Sequence, residues 1–212
     1  MNAFLDDLVS RFWTNPRILA YRQLAIQQQW RMKARRKFDK DPVVLMDFEL
    51  FKGNRGKRMA PILIIPAPQL KGNFRIYDFH YFSDLGKKST TVFEFHRQDF
   101  NLPYFRIFPK GMFSSVKELF VSTQLLFATT PEFNQQYEIL APNASAIKQS
   151  LNEDFLDLVG DEAGWTHEGK AEVLIAYQDQ KTFEVAAIKD TLIQFEKRCE
   201  RLINGKRVFD YD

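Results

Sequence analysis

The sequence predicts an α+β fold: an antiparallel strand meander packed with amphipathic helices and preceded by a helical N-terminal arm. Three observations lead there. A stretch with neither Gly nor Pro follows Asn15-Pro16 and continues to Phe38. Short β-branched and aromatic runs, separated by Gly, Asp, Lys and Pro, fill residues 59–108. The last third alternates strand-like runs with apolar residues spaced by three and four. That order describes a sheet of antiparallel strands with helices laid on it.

The elements follow in turn. Asn15 can accept the first unpaired backbone N–H groups of a helix, and Pro16 suits its first position. Good helix formers then carry the predicted helix to about Phe38, where Asp41-Pro42 closes the segment. Five cations, Arg31, Lys33, Arg35, Arg36 and Lys37, crowd its last turns, where the helix dipole favours them. Strands are predicted at Met59–Ile65, Phe74–Phe82, Thr91–Arg97 and Tyr104–Phe108. In the second of these, Tyr77, Phe79 and Tyr81 share one face while Ile76, Asp78, His80 and Phe82 share the other, so both faces are covered in part. Phe105 and Ile107 point together into a core. Thr130-Pro131 starts a short helical turn, and Tyr137–Leu140 follows as a strand. Asn143 caps a helix whose Ile147, Leu151, Phe155 and Leu158 form one stripe ending at Gly160. Trp165–Glu168 and Glu172–Tyr177 flank a hairpin turn at Gly169-Lys170. Val185, Ile188, Leu192, Phe195, Cys199 and Leu202 step by three or four along a terminal helix that Asn204-Gly205 ends. The organisation read from this is an arm over residues 1–40, one domain over 41–205 and a tail over 206–212.

Composition narrows the function classes. With 212 residues, 45% of them hydrophobic, the chain buries enough surface to fold without staples. Its single cysteine excludes an internal disulfide. The apolar run Ile62–Ile65 falls far short of the ~20 residues that span a bilayer. Met1–Asp7 is acidic where a secretion signal would be basic, which predicts a cytoplasmic protein. Net charge is +3, yet unevenly spread: residues 1–40 hold nine Lys/Arg against three Asp/Glu, and residues 131–212 hold nine against sixteen. A basic leader favours an anionic partner, or attraction to the chain's own acidic third.

Residues for chemistry are sparse. His80, His96 and His167 include no pair at helical ligand spacing. A turn centred at Gly86-Lys87 would set His80 opposite Phe93 and away from His96. Cys199 belongs to the apolar stripe of the last helix. No nucleophile elbow or zinc-protease helix occurs. Asp47 and Glu49 have no recognisable cleft, and Glu153, Asp154 and Asp157 form a solvated helix face. The sequence therefore predicts no catalytic, metal or cofactor residues, and a non-enzymatic protein. Gly53-Asn54-Arg55-Gly56-Lys57-Arg58 fails as a phosphate loop on spacing and on its missing Ser/Thr. It matches the bare Gly-x-x-Gly of KH clamps, but a strand-like exit replaces the helix such clamps require. A basic turn between elements is the preferred reading.

Residues 48–203 resemble an uncharacterised family of bacterial hypothetical membrane proteins. The likeness rests on Leu50-Phe51, the turn at 53–58, Tyr77-Asp78-Phe79-His80-Tyr81 and its partner Thr91-Val92-Phe93. Leu102-Pro103-Tyr104-Phe105-Arg106-Ile107, Pro131-Glu132-Phe133 with Tyr137, Glu168, Leu174-Ile175-Ala176-Tyr177 and the terminal helix complete it. Phe108-Pro109-Lys110 departs from the family's Arg-Pro-Glu, and the basic helix stands where many members carry membrane spans. The resemblance implies no reaction or cofactor. It implies a cytoplasmic body with a membrane-proximal N-terminal segment.

The expected function is a cytoplasmic binding or accessory module that recruits a protein partner or an anionic membrane surface, peripheral to the inner membrane in the second case. Its expected contact residues are Arg31, Lys33, Arg35, Arg36, Lys37, Arg55, Lys57 and Arg58. Nucleic-acid binding through Gly53–Arg58 and the arm is the alternative, an enzyme with an unfamiliar site a second one, and homo-oligomer formation is left open.

Overall fold

A computed structural model describes residues 15–34, 43–52, 55–84, 86–111 and 131–205. The strands are β1 (Arg31–Lys33), β2 (Arg55–Ala67), β3 (Gly72–Ser83), β4 (Gly86–His96), β5 (Leu102–Pro109), β6 (Tyr137–Leu140), β7 (Thr166–Ala171) and β8 (Val173–Tyr177). They form one eight-stranded sheet in the order β1-β2-β3-β4-β8-β7-β5-β6, with every neighbouring pair antiparallel. The β7–β8 hairpin thus inserts between β4 and β5 and joins two groups of strands made earlier in the chain. The helices are α1 (Pro16–Gln27), α2 (Pro131–Gln136), α3 (Ala144–Ser150), α4 (Glu153–Gly160) and α5 (Ile188–Asn204). Among the described residues no helix is long and apolar enough to cross a membrane.

Side-chain alternation along the strands divides the core in two, as the sequence predicts. On one face Phe74, Ile76, Phe93, Phe95, Phe105 and Ile107 meet all five helices, through residues such as Tyr21, Phe133, Ile147, Phe155 and Phe195. On the other face Tyr77, Phe79, Tyr81 and Ile175 lie under Leu45, Phe48, Leu50 and Phe51, carried by 3-10 turns at Val43–Asp47 and Glu49–Phe51. Each such apolar side chain contributes about 1.5–3 kcal/mol on burial. A buried carboxylate fixes the second layer. Glu168 accepts the N–H groups of Glu49 and Leu50 at 2.7 and 3.3 Å and the Tyr177 hydroxyl at 2.7 Å.

The terminal helix forms as its spacing predicts, with Ile188, Leu192, Phe195, Cys199 and Leu202 buried. Four expectations are corrected. The first helix stops at Gln27, not Phe38. Gln29 takes a left-handed φ of 57°, and the Trp30 N–H turns back to the Ala25 carbonyl at 2.8 Å. Trp30 and Met32 then pack against the core while Arg31 and Lys33 stay exposed, an alternation of period two that makes β1. Ile18, Tyr21, Leu24 and Ala25 of α1 are buried on the sheet.

The stripe from Asn143 to Gly160 is two helices. Asn152 caps the second by accepting the Phe155 N–H at 2.9 Å while its amide donates to the carbonyls of Arg201 and Leu202. Two hairpins turn elsewhere than the glycines suggest. Ser83 pairs with Gly86, so His80 faces Ser89 and not Phe93. Lys170 pairs with Val173, which moves that turn to Ala171-Glu172.

Candidate functional site

The face of β3 that starts inside the core ends outside it. Phe74 and Ile76 are covered by helices, but the same face continues as Asp78, His80 and Phe82. Its partners on β4 change in step, from Phe93 to Thr91, Ser89 and Lys87, and Arg58 of β2 stands opposite His80. The first turn of α1 reaches only as far as Asp78. Beyond it lies a cleft of about 280 Å³ lined by Arg17, Arg58, Asp78, His80, Phe82 and Lys87 among others.

Asp78 seals the cleft from the core. Its oxygens accept Arg17 Nε at 2.6 Å and Arg17 Nη2 at 2.9 Å, the Thr91 hydroxyl at 2.8 Å and the Tyr21 hydroxyl at 3.1 Å. The hydrogen bonds that Arg17 donates to Asp78 raise the Arg17 pKa against the opposing effect of burial. Burial, reinforced by the Asp78 charge, lifts the Tyr21 hydroxyl well above its usual value.

His80 is similarly engaged. The Ala60 carbonyl lies 3.2 Å from Nε2, so that nitrogen carries the proton and donates, and the Ser89 hydroxyl donates to Nδ1 at 2.9 Å. Burial lowers the pKa of this imidazole; Asp78 and the Ala60 carbonyl oppose the shift, while Arg58 and Lys87 add to it. The ring is therefore neutral near pH 7 with both nitrogens occupied.

The outer lip is apolar. Phe82 is 54% exposed, opposite Lys87 in register. Its ring lies over Gly56, where a Cβ would come within 2.7 Å of Phe82 Cδ2. Gly56 also has φ +62°, so close approach and backbone shape both require glycine there.

The expected contact residues are not brought together. Arg31 and Lys33 pair with Ile64 and Ile62, which face the second core layer, whereas Arg58 lies in the cleft on the opposite face of the sheet. Arg55 is in register with Phe82, and Lys57 is half-buried. Arg35, Arg36 and Lys37 lie outside the described residues. Residues 55–58 begin β2 and are not the basic turn expected; the strand-like exit foreseen there is present. Phe82 and Lys87 escaped sequence reasoning as site residues, although the alternation on β3 already placed Asp78, His80 and Phe82 on one face.

Two other polar clusters serve the fold. Arg106 and Tyr104 attend the buried Glu168 staple, and burial raises the Glu168 pKa. His167 is fully buried beside Phe155 and Trp165 and finds no hydrogen-bond partner for either nitrogen among the described residues. Burial, with Arg198 adding to it, holds this imidazole well below its usual pKa. No group of three or more His, Cys, Asp or Glu among the described residues is placed to hold a metal ion.

Comparison with known proteins gives a likeness of fold. No family model and no curated protein matches the sequence. The fold is similar to the crystal structure of the mycobacterial trehalose monomycolate transport factor A, TtfA, with a TM-score of 0.61 over 88% of this chain and 93% of that one. At 10% identity the likeness is one of fold.

Proposed function

We propose that this chain is a non-enzymatic accessory module that docks on an anionic membrane surface through the mouth of the cleft. Phe82 carries the reading: an aromatic ring 54% exposed at a hairpin end, with Lys87 opposite it and Arg58 in the lining beside it. Peripheral proteins bind by sinking such a ring among headgroups while cations meet the lipid charges. Each cation contributes about 1 kcal/mol near an anionic leaflet.

The deeper groups support binding over catalysis, because both Asp78 oxygens and both His80 nitrogens are already hydrogen-bonded. A general base needs a free acceptor aimed at its substrate. The fold likeness to a transport factor supports an accessory role. A peripheral position at the cytoplasmic side of the inner membrane follows from the same reading.

Vesicle co-sedimentation of the full chain tests it, using phosphatidylcholine alone and with phosphatidylglycerol. Pelleting is expected only with the anionic vesicles, declining as salt is raised. Phe82→Ser should weaken binding about tenfold, or 1.4 kcal/mol, with an unchanged circular dichroism spectrum. Equal pelleting on both vesicle types, or on neither, overturns the reading and leaves a protein partner as the one to pursue.

A further inference from the structure

We propose that His80 makes docking at the cleft mouth pH-sensitive: when its ring takes up a proton, a positive charge is added behind Phe82 and attachment to an anionic membrane tightens. The inference rests on the membrane reading above and names the regulation of that same site.

Geometry lets the ring change charge without leaving its place. A neutral imidazole has one donor and one acceptor nitrogen, and an imidazolium has two donors. The Ala60 carbonyl, 3.2 Å from Nε2, accepts in both states. The Ser89 hydroxyl, 2.9 Å from Nδ1, donates to the neutral ring and, by rotating about its C–O bond, offers a lone pair to the protonated one. His167 makes the contrast. Neither of its nitrogens has a partner among the described residues, so a proton there opposes the fold, whereas at His80 it turns one hydroxyl.

Placement joins the ring to the docking surface. His80 is half-buried, between Asp78 at the sealed end of the cleft and Phe82 at its open lip. The three share one face of β3, so two residues of strand, about 7 Å, separate His80 from the exposed ring. That is within the screening length of physiological salt, about 8 Å, so headgroups around Phe82 feel the added charge. The charged groups facing the imidazole are Asp78 on its own strand, Arg58 on β2, Lys87 on β4 and Arg17 on α1. Burial resists the proton, Asp78 and the Ala60 carbonyl favour it, and Arg58 and Lys87 resist it further. An anionic leaflet at the mouth favours it as well. The ring therefore titrates below the ordinary histidine range in the free chain and closer to that range on the membrane.

Co-sedimentation of the full chain tests this at about pH 7.5 and about pH 5, on either side of the histidine range, at one ionic strength. The vesicles contain phosphatidylcholine with phosphatidylglycerol, whose phosphodiester keeps its single charge at both pH values. One added cation should tighten binding about fivefold at the lower pH. By reciprocity, the same lipids supplied as bicelles should raise the midpoint of the His80 ring titration, followed by NMR, by about 0.7 on the pH scale. His80→Gln keeps a donor for the Ala60 carbonyl and should lose the pH response. Repeating the series in His167→Leu removes the imidazole whose protonation opposes folding, so that both pH values report on folded protein.

An equal gain at the lower pH in wild type and His80→Gln overturns the switch and leaves anionic docking in place. A His80 midpoint that the lipids do not move, or a ring that stays neutral through the lower pH, does the same. Pelleting on no vesicle at either pH overturns the membrane reading, and the switch with it.

Discussion

Replacing Asp78 with alanine should loosen α1 from the sheet at a cost that the geometry sets. The carboxylate is 1% exposed and Arg17 29% exposed, with a closest approach of 2.6 Å. Removing one partner of a fully buried pair costs about 3–5 kcal/mol. Here Arg17 keeps some access to water, which reduces the ionic part to about 2–3 kcal/mol. The buried Tyr21 hydroxyl also loses its acceptor, for about 1 kcal/mol more. The expected loss is therefore about 3–4 kcal/mol in all. With a urea dependence of about 2 kcal/mol/M, the unfolding midpoint should drop by about 1.5–2 M.

Equilibrium urea unfolding followed by tryptophan fluorescence measures this directly. Arg17→Met, alone and combined with Asp78→Ala, completes a double-mutant cycle in which a coupling of about 2 kcal/mol is expected. A loss below about 1 kcal/mol for Asp78→Ala, with single effects that add within about 0.5 kcal/mol, would refute the anchoring role.

Two further substitutions probe the interior. His167 is neutral in the folded chain because burial lowers its pKa, so below about pH 6.5 the unfolded chain binds a proton that the folded chain refuses. Stability should be complete above that pH and decline below it, by up to about 1.4 kcal/mol per pH unit from this residue. His80 adds in the same direction. His167→Leu should reduce the slope in denaturant titrations between about pH 7.5 and 5.5 and raise stability at neutral pH by about 1 kcal/mol; a slope equal to wild type would count against it. Asn152→Ala removes a helix cap and two donated bonds to the end of α5, so calorimetry should show a loss of about 2–3 kcal/mol. A loss under about 0.5 kcal/mol would mean that the junction between α4 and α5 is held by packing alone.

The elements with many residues to report their period were legible. The terminal helix announces itself over five turns, and β3 through alternating aromatics. Short or shared signals misled. Trp30, Met32 and their charged neighbours alternate as a strand, yet three residues embedded among helix formers carry too little pattern to stop a predicted helix. The two glycine-marked turns were each placed two residues away, because Gly86 serves the edge of its turn through a φ of +103° and Gly169 serves packing. A Cβ at Gly169 would come within 2.3 Å of Phe105 Cε1.

The Asn152 cap was hidden because the apolar stripe continues across the break. Half of the cleft was visible in principle, since Asp78, His80 and Phe82 fall on one face by counting. Its other walls depend on the hairpin register and on Arg17 reaching a carboxylate 61 positions away, which no local pattern encodes.

The insertion of β7–β8 between β4 and β5 bears on how the polypeptide is made. Until residues 166–177 leave the ribosome, the two earlier strand groups have nothing to bridge them. During that interval each presents a bare row of amides and carbonyls, the kind of exposure that invites intermolecular pairing. Messages cut short before Thr166 should therefore yield insoluble product, and nascent chains should depend on holdase protection until the closing hairpin arrives.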